Sequence, residues 1–94
     1  MQMAHYDQDL IDSSGVFRAL SHPARLCVVN KLTTTVLTVG QMQECLGMSQ
    51  SNVSQHLSIL KSRGIIKGER IGSEVFYSLA DDRMKDLVKI FLND

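Results

Sequence analysis

The stretch MSQSNVSQHLSILKSRG, residues 48–64, carries hydrogen-bonding side chains at almost every position its apolar residues leave free. Val53, Leu57 and Leu60 recur at three- and four-residue steps, the spacing of one helix face. Between them stand Gln50, Ser51, Asn52, Ser54, Gln55, His56 and Ser58, with no Lys or Glu. A solvated helix face is ordinarily kept in water by charged residues. Amide, hydroxyl and imidazole groups along one side suit another task, because they donate to and accept from polar edges such as those of nucleic-acid bases. Cations follow at Lys61, Arg63, Lys67 and Arg70, the residue types that meet phosphate oxygens. Ser49, at the start of this helix, and Ser73, in a later turn beside Gly72, complete the candidate set.

Catalysis finds no such support. The serines at 49, 51, 54 and 58 have no adjacent general base, no carboxylates pair in an apolar setting, and no Gly-rich phosphate loop is present. His5, His22 and His56 are scattered, and none is spaced with another ligand on one helix face. Cys27 and Cys45 are too far apart for a CxxC site and read as two reduced thiols filling small gaps in helices. No catalytic residue, metal ligand or cofactor is assigned.

A chain of 94 residues fits one domain, and its hydrophobic fraction of 44% supports a modest core. A core this small is commonly supplemented by burying more surface in a dimer. No apolar run approaches a membrane span, and the acidic N-terminus (Asp7, Asp9, Asp12) does not resemble a signal peptide, so a cytoplasmic protein is expected. Formal net charge is zero, unusual for a nucleic-acid binder. Its distribution is uneven. Between Ser49 and Leu79 four basic residues face two acidic ones, whereas the first fifteen residues hold three acids and no Lys or Arg.

The elements that must position these side chains follow from periodicity and punctuation. Met3, Tyr6, Leu10, Phe17 and Leu20 mark an amphipathic first helix, about 8–20. Ser21 offers a cap and Pro23 a first turn for a second helix, about 22–33, with Leu26, Val29 and Leu32 on one face. Thr33, Thr34 and Thr35 form a connection. A third helix, about 38–46, turns Val39, Met42 and Leu46 inward and ends at Gly47. The polar helix spans about 49–63 and stops at Gly64. The period then becomes alternating: Ile65, Ile66 and Ile71 form one strand and Val75, Phe76, Tyr77 and Leu79 another, a hairpin over about 65–79. A last helix, about 82–92, begins beside the carboxylates of Asp81 and Asp82. The fold class is mostly α with a β-hairpin.

A short helix, a Gly-containing turn and a longer helix make a helix-turn-helix, whose second helix enters the DNA major groove by its N-terminal half. A hairpin directly after it makes a winged helix, with the loop near Gly72 as the wing. In the last helix Met84, Leu87, Val88 and Phe91 fit one face, and Ile90 and Leu92 add apolar surface beyond it, more than a lone small domain covers. A second copy of the chain is the expected cover. The segments FRALSHPARLCVVNKL (17–32), LGMSQSNVSQHLSILKSRGII (46–66) and VFYSL (75–79) resemble the ArsR/SmtB family of bacterial winged-helix repressors. The resemblance spans nearly the whole chain, and SQSNVSQHLSILKSRG is its most specific part. It implies a homodimer joined through the first and last helices, here by Leu10, Phe17, Met84, Leu87, Val88 and Phe91. It also implies binding to double-stranded, partly palindromic operator DNA, with release by an inducer that is often a metal ion.

The positions at which such relatives hold metal are altered here. Where they carry a Cys-x-Cys pair on the third helix, VLTVGQM (36–42) has Thr38 and Gly40, neither a soft ligand. At the start of the last helix Asp81 matches one ligand of the family's other site, but Arg83 stands in place of a His. The inducer is therefore unidentified. Three alternatives remain open: a non-standard metal site using His5 with Asp7 or Asp9 across a dimer, a Cys27–Cys45 disulfide if their Cα atoms lie within about 7 Å, and a winged helix that docks a protein partner.

Overall fold

The computed structural model describes residues 5–92. Among them Gly47, Gly64 and Gly72 have positive φ, at 64°, 70° and 66°, and these three residues punctuate the segment that matters most. Gly47 ends helix α3 (Val39–Leu46), and Ser49 opens helix α4 (Gln50–Ser62) by accepting the Asn52 N–H on its Oγ. Three residues thus join the two helices. At the far end the Gly64 N–H donates to the Lys61 carbonyl and the Ile65 N–H to the Leu60 carbonyl. This paired closure needs a left-handed residue, which Gly64 supplies without a Cβ penalty.

Before these come α1 (Gln8–Leu20), α2 (Pro23–Leu32) and a two-residue strand β1 (Leu37–Thr38); after them come β2 (Ile66–Ile71), β3 (Glu74–Leu79) and α5 (Arg83–Leu92). The strands form one antiparallel sheet in the order β1-β3-β2, with Ile66 opposite Leu79 and Ile71 opposite Glu74. Gly72 and Ser73 alone join β2 to β3, and a positive φ at the first of these two positions only is the pattern of a type II′ turn. The Gly68 backbone pairs with Tyr77, whose ring lies so close that an added Cβ would meet it at 2.9 Å. The ring covers the gap that glycine leaves in the strand.

One core sits between the helices and the base of the hairpin. Val28, Val29 and Leu32 from α2, Met42 from α3, Val53, Leu57 and Leu60 from α4, Ile65, Ile66, Met84 and Val88 are all buried. Among the described residues, no helix is long and apolar enough to cross a membrane.

Several details depart from the sequence reading. Thr38 lies in β1 and caps α3: its Oγ1 accepts the Gln41 N–H at 3.3 Å, and its own N–H donates to Gln41 Oε1 at 2.9 Å. Leu37 and Thr38 pair with Tyr77 and Phe76, a third strand that residues 33–38 do not announce. His22, not Ser21, caps α2, and Val28 rather than Leu26 is the deeper residue on its inner side. Ile65 precedes β2 and is buried along with Ile66, while the rest of β2 is exposed, so the expected alternation does not appear in this strand. Met3 lies outside the described residues. The correction of most consequence is in α5, where Met84 and Val88 are 3% and 4% exposed within this single chain. They hold α5 to its own domain and are unavailable as dimer contacts.

Leu60 has no exposed surface and joins α4 to the core. Leu60→Ala should therefore lower stability by about 2–5 kcal/mol, the range for a truncated buried leucine. The urea midpoint should fall with little change in slope.

Candidate nucleic-acid interface

The buried stripe Val53, Leu57 and Leu60 fixes which side of α4 faces out. Gln50, Ser51, Asn52, Ser54, Gln55 and Ser58 are all exposed, and no carboxylate interrupts them. Ser49 is exposed too, but its hydroxyl is engaged as the helix cap. Ile59 is the one apolar residue among the exposed side chains of this helix. Six hydrogen-bonding side chains along about two turns, on a helix closed at both ends, form a rigid polar ridge. Its groups match the donors and acceptors of major-groove base edges.

His56 behaves differently. It lies beside the buried stripe, half-buried, with its ring centroid 4.6 Å from that of His22. Its Nδ1 is 3.2 Å from Nη1 of Arg25, whose Nε donates to the Ala19 carbonyl at 2.6 Å. Burial first, then His22 and Arg25, hold the His56 imidazole below the usual histidine range. Arg25 is thus a site neighbour that the sequence reading missed. The two partners are 31 residues apart, and no local spacing signals their contact.

The cations divide. Lys61, Lys67 and Arg70 are exposed. Arg63 is exposed as well, but its guanidinium lies over Gly15 of α1, where an added Cβ would stand 2.5 Å from Nη1. That side chain is turned back along the domain. On the wing, Lys67 pairs with Ser78 and Arg70 with Val75, an odd number of positions apart on β2. They therefore project from opposite faces of the ribbon, Lys67 beside Glu69 and Arg70 on the face of Gly68. Ser73 is exposed at the tip.

The positions considered for inducers show other chemistry. Asp81 accepts the Arg83 backbone N–H on Oδ1, and the Arg83 guanidinium spans both carboxylate oxygens, with Nη2–Oδ2 at 2.6 Å. Hydrogen bonding from Arg83 is the main cause that holds the Asp81 carboxyl below its ordinary value. Among the described residues, no three His, Cys, Asp or Glu side chains gather as a metal would require. Cys27 and Cys45 are free thiols. The expectation that both fill helix gaps is corrected for Cys45, which is exposed, while Cys27 is half-buried.

A model of the family described as bacterial regulatory protein, arsR family, matches residues 22–67, from the cap of α2 into β2. The HTH-type transcriptional repressor SmtB of Mycobacterium tuberculosis is 39% identical over 82 residues, which is 86% of this chain and 61% of that protein. The chain thus spans somewhat over half the length of that relative. An HTH-type transcriptional regulator of Methanocaldococcus jannaschii is 34% identical over 80% of this chain and 85% of its own length. Among solved structures, the transcriptional repressor PagR of Bacillus anthracis superposes with a TM-score of 0.79 at 32% identity, over 88% of this chain and 95% of that one.

The unequal exposure of the two thiols gives a direct chemical expectation. In the native protein Cys45 should be labelled by a thiol reagent well before Cys27, and the lag should vanish in denaturant. Equal native rates would mean that the half-buried site of Cys27 opens as readily as the surface.

Proposed function

The chain belongs to the arsR family of bacterial regulatory proteins, and from that premise we propose that it is a homodimeric, sequence-specific DNA-binding repressor acting in the cytoplasm. The observation that carries this reading is the exposed side of α4, six uncharged hydrogen-bonding residues on a helix fixed by a buried stripe and capped at both ends. Gln50, Ser51, Asn52, Ser54, Gln55 and Ser58 read bases in the major groove. Lys61, Lys67, Arg70 and Ser73 meet phosphates, with the wing straddling the backbone because its two cations project from opposite faces. Ser49 contributes through its backbone and cap, and His56 and Arg63 support the helix from its flanks.

The dimer in this proposal is formed by α1 and the outer side of α5. Phe91 is 77% exposed and Phe17 58% exposed, and Leu10, Ile11, Ile90 and Leu92 are exposed beside them. Phe17, Leu20, Leu26, Leu87 and Phe91 line an open apolar groove of about 410 Å³. Surface this apolar, gathered on two terminal helices, is what an unpaired half of an interface presents. The inducer is read elsewhere than at Thr38 and Gly40 or at Asp81 and Arg83, because threonine, glycine and an Asp–Arg ion pair do not offer a soft or open ligand set.

Binding to a fragment carrying the chain's own promoter should weaken steeply with salt, about as the first power of salt per phosphate contacted. Gln55→Ala should cost about 1–3 kcal/mol on the operator and little on random DNA, whereas Arg70→Ala should weaken both alike. A protein that shows no preference over random DNA at moderate salt would not be this repressor. Phe91→Asp should leave the fold intact and give monomers in analytical ultracentrifugation. Val88→Asp, by contrast, should unfold the domain, since it buries an unpaired carboxylate.

A further inference from the structure

Where α4 crosses the start of α2, three basic side chains meet with no carboxylate among them. The rings of His22 and His56 are inclined at 53° with centroids 4.6 Å apart. His22 Nδ1 accepts the Ala24 N–H at 3.0 Å, and Arg25 Nη1 stands 3.2 Å from His56 Nδ1. A backbone amide and a guanidinium only donate. Each Nδ1 therefore faces a donor, and at His56 this is the arrangement of an uncharged imidazole with its ring proton on Nε2. Adding a proton to the His56 ring would place hydrogen on Nδ1, facing a donor. The Arg25–His56 link would become a donor–donor contact, next to a fixed guanidinium charge.

We infer that Arg25 and His22 are positioning residues for the recognition helix, seating α4 on the start of α2 through His56 while the His56 imidazole is neutral and releasing it in acid. Arg25 suits the part because it is anchored at both sides, to the Ala19 carbonyl at the end of α1 and to His56. One side chain thus ties α1, α2 and α4 at a single point. Of the elements packed on α4, the start of α2 brings His22 and Arg25 to bear on the charge of His56; α1, α3 and β2 bring no group that acts on it. Among the described residues, no carboxylate acts on His56 to stabilise an imidazolium.

The sign of the pH effect follows from these neighbours. His56 is held below the usual imidazole range, by burial first and then by His22 and Arg25. A histidine depressed in the folded state stabilises that state above its unfolded pKa and loses the contribution as pH falls through the folded one. The clamp is whole at neutral pH and opens in acid. This is opposite to a histidine that merely meets phosphate, whose protonation strengthens binding. The consequence for DNA rests on the reading of α4 as the DNA-contacting helix, whereas the clamp does not.

Two measurements separate these levels. In the free protein at neutral pH, histidine nitrogen NMR should give His56 Nδ1 the signature of an unprotonated ring nitrogen held as acceptor. Arg25→Met should abolish that signature and Arg25→Lys should retain it in part. Operator affinity at constant salt should then fall about tenfold between about pH 7.5 and about pH 5.5. That slope should flatten in Arg25→Met and in His56→Gln, whose amide oxygen still accepts from Arg25 but does not titrate. A protonated Nδ1 at neutral pH, an affinity that rises in acid, or an unchanged slope in Arg25→Met would each overturn the inference. If the chain binds no DNA at any pH, the functional reading fails alone. The clamp is then decided by the NMR signature and by an acid-dependent fall in melting temperature that Arg25→Met reduces.

Discussion

Everything the domain presents depends on three side chains, Val53, Leu57 and Leu60, which fasten α4 to the core with at most 2% exposure each. A helix built from Ser, Asn, Gln and His has little intrinsic tendency to persist in water, because Ser and Asn compete for backbone hydrogen bonds. Its outer side is exposed and lies outside the core. Stability must therefore come from a narrow apolar stripe and from the two ends, and both are built with care. Ser49 satisfies an orphan N–H at one end, and Gly64 with Ile65 closes the carbonyls at the other. Charge on the outer side would have stabilised the helix more cheaply. Its absence is what makes the ridge suitable for reading bases.

This division explains what was legible in the sequence. Stripe, caps and terminating glycines are local features with fixed spacings, so the order of helices and hairpin follows from residue types alone, and the winged helix with it. The exposed polar residues of α4 follow too, since fixing three inward positions fixes the rest by geometry. What escaped were features set by distant partners. Strand β1 exists because Leu37 and Thr38 lie along β3, forty residues on. The link between Arg25 and His56 joins two segments whose separate patterns predict only a cap and a helix flank. In α5 the periodicity correctly marks an apolar face but cannot divide it between the chain's own core and a partner's. Met84 and Val88 go inward, and Phe91 and Ile90 remain outside.

A formal charge of zero would argue against a nucleic-acid partner if charge acted as a sum. Over distances beyond a Debye length of about 8–10 Å it does not. The acids near the start of α1 and the Asp81–Arg83 pair at the start of α5 lie on other elements than the ridge and the wing. Along α4 the nearest charges are cationic, at Lys61 and Arg63. The local field is mildly positive and the ridge itself neutral, so specificity would come from hydrogen bonding and only modest attraction from charge. A second copy of the chain would double the phosphate contacts without adding net charge.

The placement of α2 ties these parts together. It packs against α1, α4, α5 and β3, so it touches the polar helix α4 and both helices that carry the exposed apolar surface. Its start bears the His22 ring contact and the Arg25 hydrogen bond to His56 of α4, and along its length Val28, Val29 and Leu32 belong to the same core as Met84 and Val88 of α5. A close-packed interior transmits displacement because it has little room to absorb it. Between α5 and α4 the connection thus runs through one ten-residue helix rather than through loops. The hydrogen bond at the start of that helix is the least redundant part of the connection, since Arg25 meets the His56 imidazole through a single nitrogen. Apolar contacts elsewhere tolerate small slides, whereas a donor–acceptor pair is either formed or lost. The seating of α4 accordingly depends on a single formed or lost hydrogen bond where α2 begins.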